Sequence, residues 1–215
     1  MNATQLLERN TSAVSNQRSE KAVLLVSPAS RMMNHYRPPL ALMYISGYLN
    51  KMGIKTKIID SVMEDKIVRD KNFLANKDSF FQSIEDDIIQ RIASMDADVI
   101  GITCYTPEVD EVERLANKIK RVKPNVTIVA GGIHPTLYPD DLLGPDSDID
   151  FVVFGEGEIS LHELVVAIRS GKNLRELKGV GFYDDVTGEK VITDRQLLDY
   201  ELDSISYPDY EGEDM

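Results

Sequence analysis

Redox chemistry has little to work with in this sequence. A single cysteine, Cys104, stands in 215 residues. It cannot close an internal disulfide, supply a multi-cysteine metal site or hold an iron-sulfur cluster within this chain. That scarcity is the usage of a reducing compartment and points to a cytoplasmic protein. Long apolar runs are missing as well. No stretch approaches the roughly 20 residues that span a bilayer, and the first 20 residues lack the apolar core of a secretory signal. Basic charge is short too. Lys and Arg number 24 against 36 Asp and Glu, giving a formal net charge of -12 and a pI near 4.7. Such a surface repels phosphate backbones and anionic lipid, so nucleic acid and membrane are excluded as partners, and a neutral or large organic ligand fits better.

What is present is the alternation of an α/β domain. A hydrophobic fraction of 42% suffices for one sizeable core. Five apolar runs read as buried strands: KAVLLVSP (21–28), KTKIIDS (55–61), ADVIGITCY (97–105), VTIVAGG (126–132) and DFVVFGE (150–156). Helical patterns fall between them. Leu42, Ile45, Leu49 and Met52 repeat at helical spacing before Gly53. Residues 79–95 form a second helix, and 107–124 a third that opens on proline and acids and closes on Lys120, Arg121 and Lys123. A last helix over 160–172 takes Ser160 as its cap, with Glu163 completing a capping box and Gly171 as its stop.

The expected fold is a Rossmann-like or flavodoxin-like, doubly wound, five-stranded parallel sheet in the order 2-1-3-4-5. A C-terminal β-hairpin built from GVGFYDD and EKVITDRQ is appended to it. The boundaries read as a flexible extension over 1–20, the α/β domain over 21–178, the hairpin over 179–194 and a linker over 195–215. Residues 62–78 are a polar insertion long enough for a cap or partner surface.

Ligands of such sheets bind beyond the carboxyl ends of the strands, where strand order reverses. The loops on that edge are SPASRMMNHYRPP, CYTPE, HPTLYPDD and GEGEIS. Each residue there has an ordinary reading. Gly131 and Gly132 could merely close a turn, and His134 could merely cap a loop. Cys104 reads as a small buried hydrophobe, and Glu156 and Glu158 could serve the dipole of the helix they open. No nucleophile, acid/base pair or metal cluster emerges, so no catalytic or metal-ligating residue is assigned. Taken together, Thr103 and Thr106, the glycine pair and the helix start after GEGE make a long, mostly uncharged trough suited to an extended cofactor tail.

The segments PPLALMYISGYLNKMG, ADVIGITCYTPEVDEVERLANKIKRVKPNVTIVAGGIHPTLYPDDLL and DFVVFGEGEISLHEL carry PPL, GGxHPT and GEGE in series. In that combination the chain resembles the N-terminal cobalamin-binding domain of cobalamin-dependent radical S-adenosylmethionine enzymes, over roughly residues 21 to 210. The resemblance implies that the dimethylbenzimidazole tail of cobalamin (vitamin B12) lies between loops and sheet, with the corrin over the strand ends. It assigns Thr103, Tyr105 and Thr106, the pair Gly131 and Gly132 with His134 of the same motif, and Glu156, Gly157 and Glu158 to the cofactor. No DxHxxG follows the first strand, so the resemblance implies cobalt without a histidine ligand, with Ser30, Arg31 or a water near the lower face. It further implies a radical domain, in cis or in trans, with its 4Fe-4S cluster and S-adenosylmethionine, and methyl transfer or related radical chemistry in the full protein. This chain alone is then a carrier. Two other readings share the fold: a flavodoxin-like flavin or nucleotide-binding module, and a receiver-like interaction module. The first wants a Ser/Thr/Gly run after strand one, and the second an acidic pair there.

Overall fold

The computed structural model describes residues 21–29, 38–61, 77–197 and 206–210. Strand β1 (Ala22–Ser27) lies in the interior of the sheet, with Val23, Leu24, Leu25 and Val26 all at most 1% exposed. A strand covered on both faces has no polar side, which is why its sequence runs apolar without alternation. It pairs in parallel with β2 (Thr56–Asp60) on one side and β3 (Ala97–Thr103) on the other. β4 (Thr127–Gly131) and β5 (Phe151–Val153) follow in parallel beyond β3, reproducing the expected 2-1-3-4-5 order.

Crossovers distribute the helices over both faces. On one face α2 (Lys77–Ser94) and α3 (Val109–Val122) bring Ile84, Ile88, Ile92, Val112, Leu115 and Ile119 onto Leu24, Ile100, Ile102 and Ile128. On the other face α1 (Leu40–Lys51) and α5 (Gly157–Ser170) bring Leu42, Met43, Leu49, Leu161, Leu164 and Ile168 onto Val23, Leu25, Val99, Val129 and Val153. Among the described residues no helix is long and apolar enough to cross a membrane.

Three features depart from the sequence reading. The hairpin of β6 (Val180–Asp184) and β7 (Glu189–Ile192) does form, but it continues the sheet: β6 pairs antiparallel with β5, giving the order β2-β1-β3-β4-β5-β6-β7. Phe182, packed against Phe151 with ring centroids 6.0 Å apart, supplies the apolar reason. Helix α5 starts at Gly157 with Glu156 in extended conformation as its cap, so Ser160 lies inside the helix, fully buried, and caps nothing. Gly155 at φ +78 makes the turn that lets the helix begin early. A one-turn helix, α4 (Ile133–Leu137), occupies what reads as loop after β4. The extension over 1–20 and all but the last two residues of the 62–78 insertion lie outside the described residues.

The start of β5 is fixed by a buried ion pair. Asp150 accepts from Lys120 Nζ at 2.6 Å and from the amide of Ile128 at 2.7 Å. Burial pushes its carboxyl up, against the pull of Lys120 and of that amide. Removing one partner leaves the other charge in a dry place. Asp150→Ala should therefore lower the unfolding free energy by about 3 kcal/mol, read from the urea midpoint at unchanged m-value.

Candidate functional site

Strand order reverses between β1 and β3, and a cavity of about 200 Å³ opens there, under the carboxyl ends of the strands on the α1/α5 face. Its floor is the sheet: Leu25 of β1, Gly101 and Thr103 of β3, Val129 and Gly131 of β4, and Val153 of β5. Side chains alternate along a strand, so Val99, Gly101 and Thr103 share one face, and the glycine takes the position where a larger residue would fill the space. One wall is α1 through Ala41, Leu42, Tyr44 and Ile45, and the other is the start of α5 through Glu156, Gly157, Glu158 and Leu161. Gly157 lets the two helices close on each other, since a Cβ there would stand 3.0 Å from Ile45 Cδ1.

Of the residues singled out from sequence, Thr103, Gly131, Gly132, Glu156, Gly157 and Glu158 all line this cavity. Tyr105 and Thr106 do not; both are exposed beyond β3, where Thr106 opens a short 3-10 turn. His134 does not line it either. It is buried at 3% exposure with its amide donating to Cys104 O at 3.1 Å and its ring tilted against Tyr138 at 5.5 Å. The Asp141 carboxylate stands 3.2 Å from Nε2 but off the line of a hydrogen bond. Ser30, Arg31 and His35 lie outside the described residues.

The two glycines differ in what demands them. Gly132 has φ +108, and a Cβ on it would meet Cys104 O at 2.9 Å and Thr103 Oγ1 at 3.1 Å, so its own backbone and the end of β3 require it. Gly131 has ordinary geometry, and a Cβ there would meet only Val153 O, at 3.8 Å. The space above Gly131 therefore belongs to the cavity.

Electrostatics are sparse. Burial pushes the Glu158 carboxyl up, its own backbone amide opposes, and the Glu156 charge adds to the rise. Both acids flank the positive end of the α5 dipole. His162 sits between α5 and α1, edge-on to Tyr48 at 6.1 Å, and burial lowers its pKa. The site's apolar floor, Gly101 and the α1 wall were not among the residues chosen from sequence. Gly101 carried a signal, as an isolated glycine inside a strand pattern. Arg195, which follows β7, carried none, yet its Nε stands 3.2 Å from where a Cβ on Gly155 would lie. Among the described residues no group of three or more His, Cys, Asp or Glu could hold a metal ion.

Three comparisons bear on the arrangement. The family model for the B12 binding domain matches residues 33–165. An uncharacterised methyltransferase of Pyrococcus horikoshii is 29% identical over 88% of this chain and 38% of its own length. The anaerobic magnesium-protoporphyrin IX monomethyl ester cyclase of Rubrivivax gelatinosus is 29% identical over 80% of this chain and 28% of its own. The chain thus spans about a third of the length of these curated relatives. Among solved structures, the cobalamin-dependent S-adenosylmethionine radical enzyme OxsB, with aqua-cobalamin and S-adenosylmethionine bound, superposes with a TM-score of 0.66 at 17% identity, over 91% of this chain and 28% of that one. The radical S-adenosylmethionine methyltransferase TsrM from Kitasatospora setae gives 0.62 at 21% identity, over 81% and 30%. Both likenesses establish the fold.

Cys104 offers a check on the core beside the site. It is fully buried, and burial, followed by Glu108 and Glu113, pushes its thiol up to about 12. Almost no thiolate exists at pH 8. Iodoacetamide at that pH should leave the folded protein unmodified by mass spectrometry and alkylate one site once urea unfolds it.

Proposed function

This chain belongs to the B12-binding domain family, and from that premise we propose that it holds cobalamin with the nucleotide tail lodged in the cavity between α1, α5 and the ends of β1, β3 and β4. The observation that carries the reading is the floor of that cavity, where Gly101 and Gly131 leave bare backbone between Leu25, Val129 and Val153. A flat apolar base suits such walls, and the Thr103 hydroxyl is a polar group within reach of it. Glu156 and Glu158 then flank the tail from the α5 side, Gly132 shapes the loop above it, and Tyr105, Thr106 and His134 belong to the surroundings rather than the lining.

Cobalamin bound in this way supplies cobalt-centred group transfer or radical chemistry, while the protein's share is to bind, orient and exclude water. Cobalt without a histidine ligand is the finer part of the proposal. SPASRMMN after β1 has no histidine at the ligating spacing. His134 is enclosed beside Asp141, and His162 packs against Tyr48, both away from the cavity lining. Ser30 and Arg31 remain the residues proposed near the lower face. For the whole protein we read the chain as the cobalamin-carrying part of a cobalamin-dependent radical S-adenosylmethionine enzyme. A radical domain in cis or in trans would bring the 4Fe-4S cluster and S-adenosylmethionine, with methyl transfer as the favoured reaction.

Titration with hydroxocobalamin, followed by absorbance, tests this directly. Gly131→Val should keep the unfolding midpoint and weaken binding at least about tenfold, or ~1.4 kcal/mol, because the branched side chain enters the cavity. Unchanged affinity would remove the tail from this cavity. His134→Ala and His162→Ala should leave the bands of bound cobalamin in place; a shift such as loss of a nitrogen ligand produces would assign that histidine to cobalt.

A further inference from the structure

Residues 206–210, the SYPDY stretch, do not run free of the domain. The Asp209 amide donates to Met43 O at 2.9 Å. Its carboxylate oxygen Oδ2 accepts from Ser46 Oγ at 2.7 Å and Asn50 Nδ2 at 2.8 Å. The network continues into the sheet. Ser46 Oγ lies 2.6 Å from Thr56 Oγ1, and Asn50 Oδ1 accepts from the Thr56 amide at 3.2 Å. Gly47 completes the seat, because a Cβ on it would run into the carbonyl oxygen of Tyr207.

At 100° per residue, Met43, Ser46, Gly47 and Asn50 fall on the flank of α1 opposite Ala41, Tyr44 and Ile45 of the cavity wall, with Leu42, which also lines the cavity, between the two sets. Helix α1 is thus held between the cavity and this segment. We propose that residues 206–210 are a latch on the back of α1, with Asp209 as its positioning residue, and that latch docking and occupation of the cavity favour each other. The proposal rests on the reading of that cavity as the cobalamin tail site. Two sites that bias the placement of one helix are coupled, and the coupling is reciprocal. Tyr207 and Tyr210 of the latch are 91% and 68% exposed.

Gly47→Ala separates the latch from the helix. Alanine is worth about 1 kcal/mol more than glycine inside a helix, so α1 itself gains while the seat for Tyr207 is filled. Asp209→Ala removes the carboxylate that accepts from Ser46 and Asn50 and leaves the sequence of α1 unchanged. In the full chain, each variant should bind hydroxocobalamin about tenfold more weakly than the parent at an unfolding midpoint no lower than the parent's for Gly47→Ala. The double variant should be no weaker than the weaker single, since both abolish one event. Conversely, saturating cobalamin should slow hydrogen exchange at the Asp209 amide of the parent chain. Parent-like affinity in both variants, additive losses, or an Asp209 amide indifferent to cobalamin would each overturn the latch. Absence of cobalamin binding by the parent would instead overturn the cofactor reading beneath it.

Discussion

Parallel pairing of β1 with both β2 and β3 is the constraint from which the rest follows. Parallel neighbours cannot be joined by a tight turn, so each connection must cross a face of the sheet and carry a helix. The connection from β1 to β2 goes over one face with α1, and that from β2 to β3 returns over the other with α2. The chains leaving β1 and β3 therefore part in opposite directions. A gap opens between them at the carboxyl edge, and the cavity occupies it.

Depth in that gap comes from side chains that are missing. Gly101 and Gly131 withhold bulk from the sheet surface, and Gly157 brings α5 close to Ile45 of α1. Gly132 is different in kind, since the end of β3 and a left-handed backbone demand it irrespective of any ligand. A glycine pair that looks uniform in the sequence thus divides between ligand space and chain geometry.

Charge is kept at the borders of the domain. Lys120 with Asp150 locks the start of β5, and Arg169 holds Asp98 through two contacts of 3.0 and 2.8 Å while also donating to Lys21 O. Glu85 ties α2 to α3 through Arg114 and Lys118. These pairs fix where elements begin and how they lie, leaving the cavity mostly apolar, with the two acids at the start of α5 as its charged rim. The latch follows the same economy, one carboxylate joining a distant segment to α1 and, through Ser46 and Asn50, to the edge strand β2.

The sequence by itself determined the alternation of strands and helices, the parallel order of β1 to β5 and the edge of the sheet on which a ligand would lie. Those depend on local periodicity and on the handedness of crossovers, which apolar runs such as KAVLLVSP and the spacing of Val112, Leu115 and Ile119 already encode. Six of the residues chosen from its motifs line one cavity, because the ends of β3 and β4 and the start of α5 converge on that edge of the sheet. Only the tertiary structure decided that the hairpin extends the sheet, that His134 turns away from the cavity and that residues 206–210 seat against Gly47. Each of these joins residues whose distance apart in the chain leaves no local signature, and contact between surfaces, with no pattern along either one, selects it.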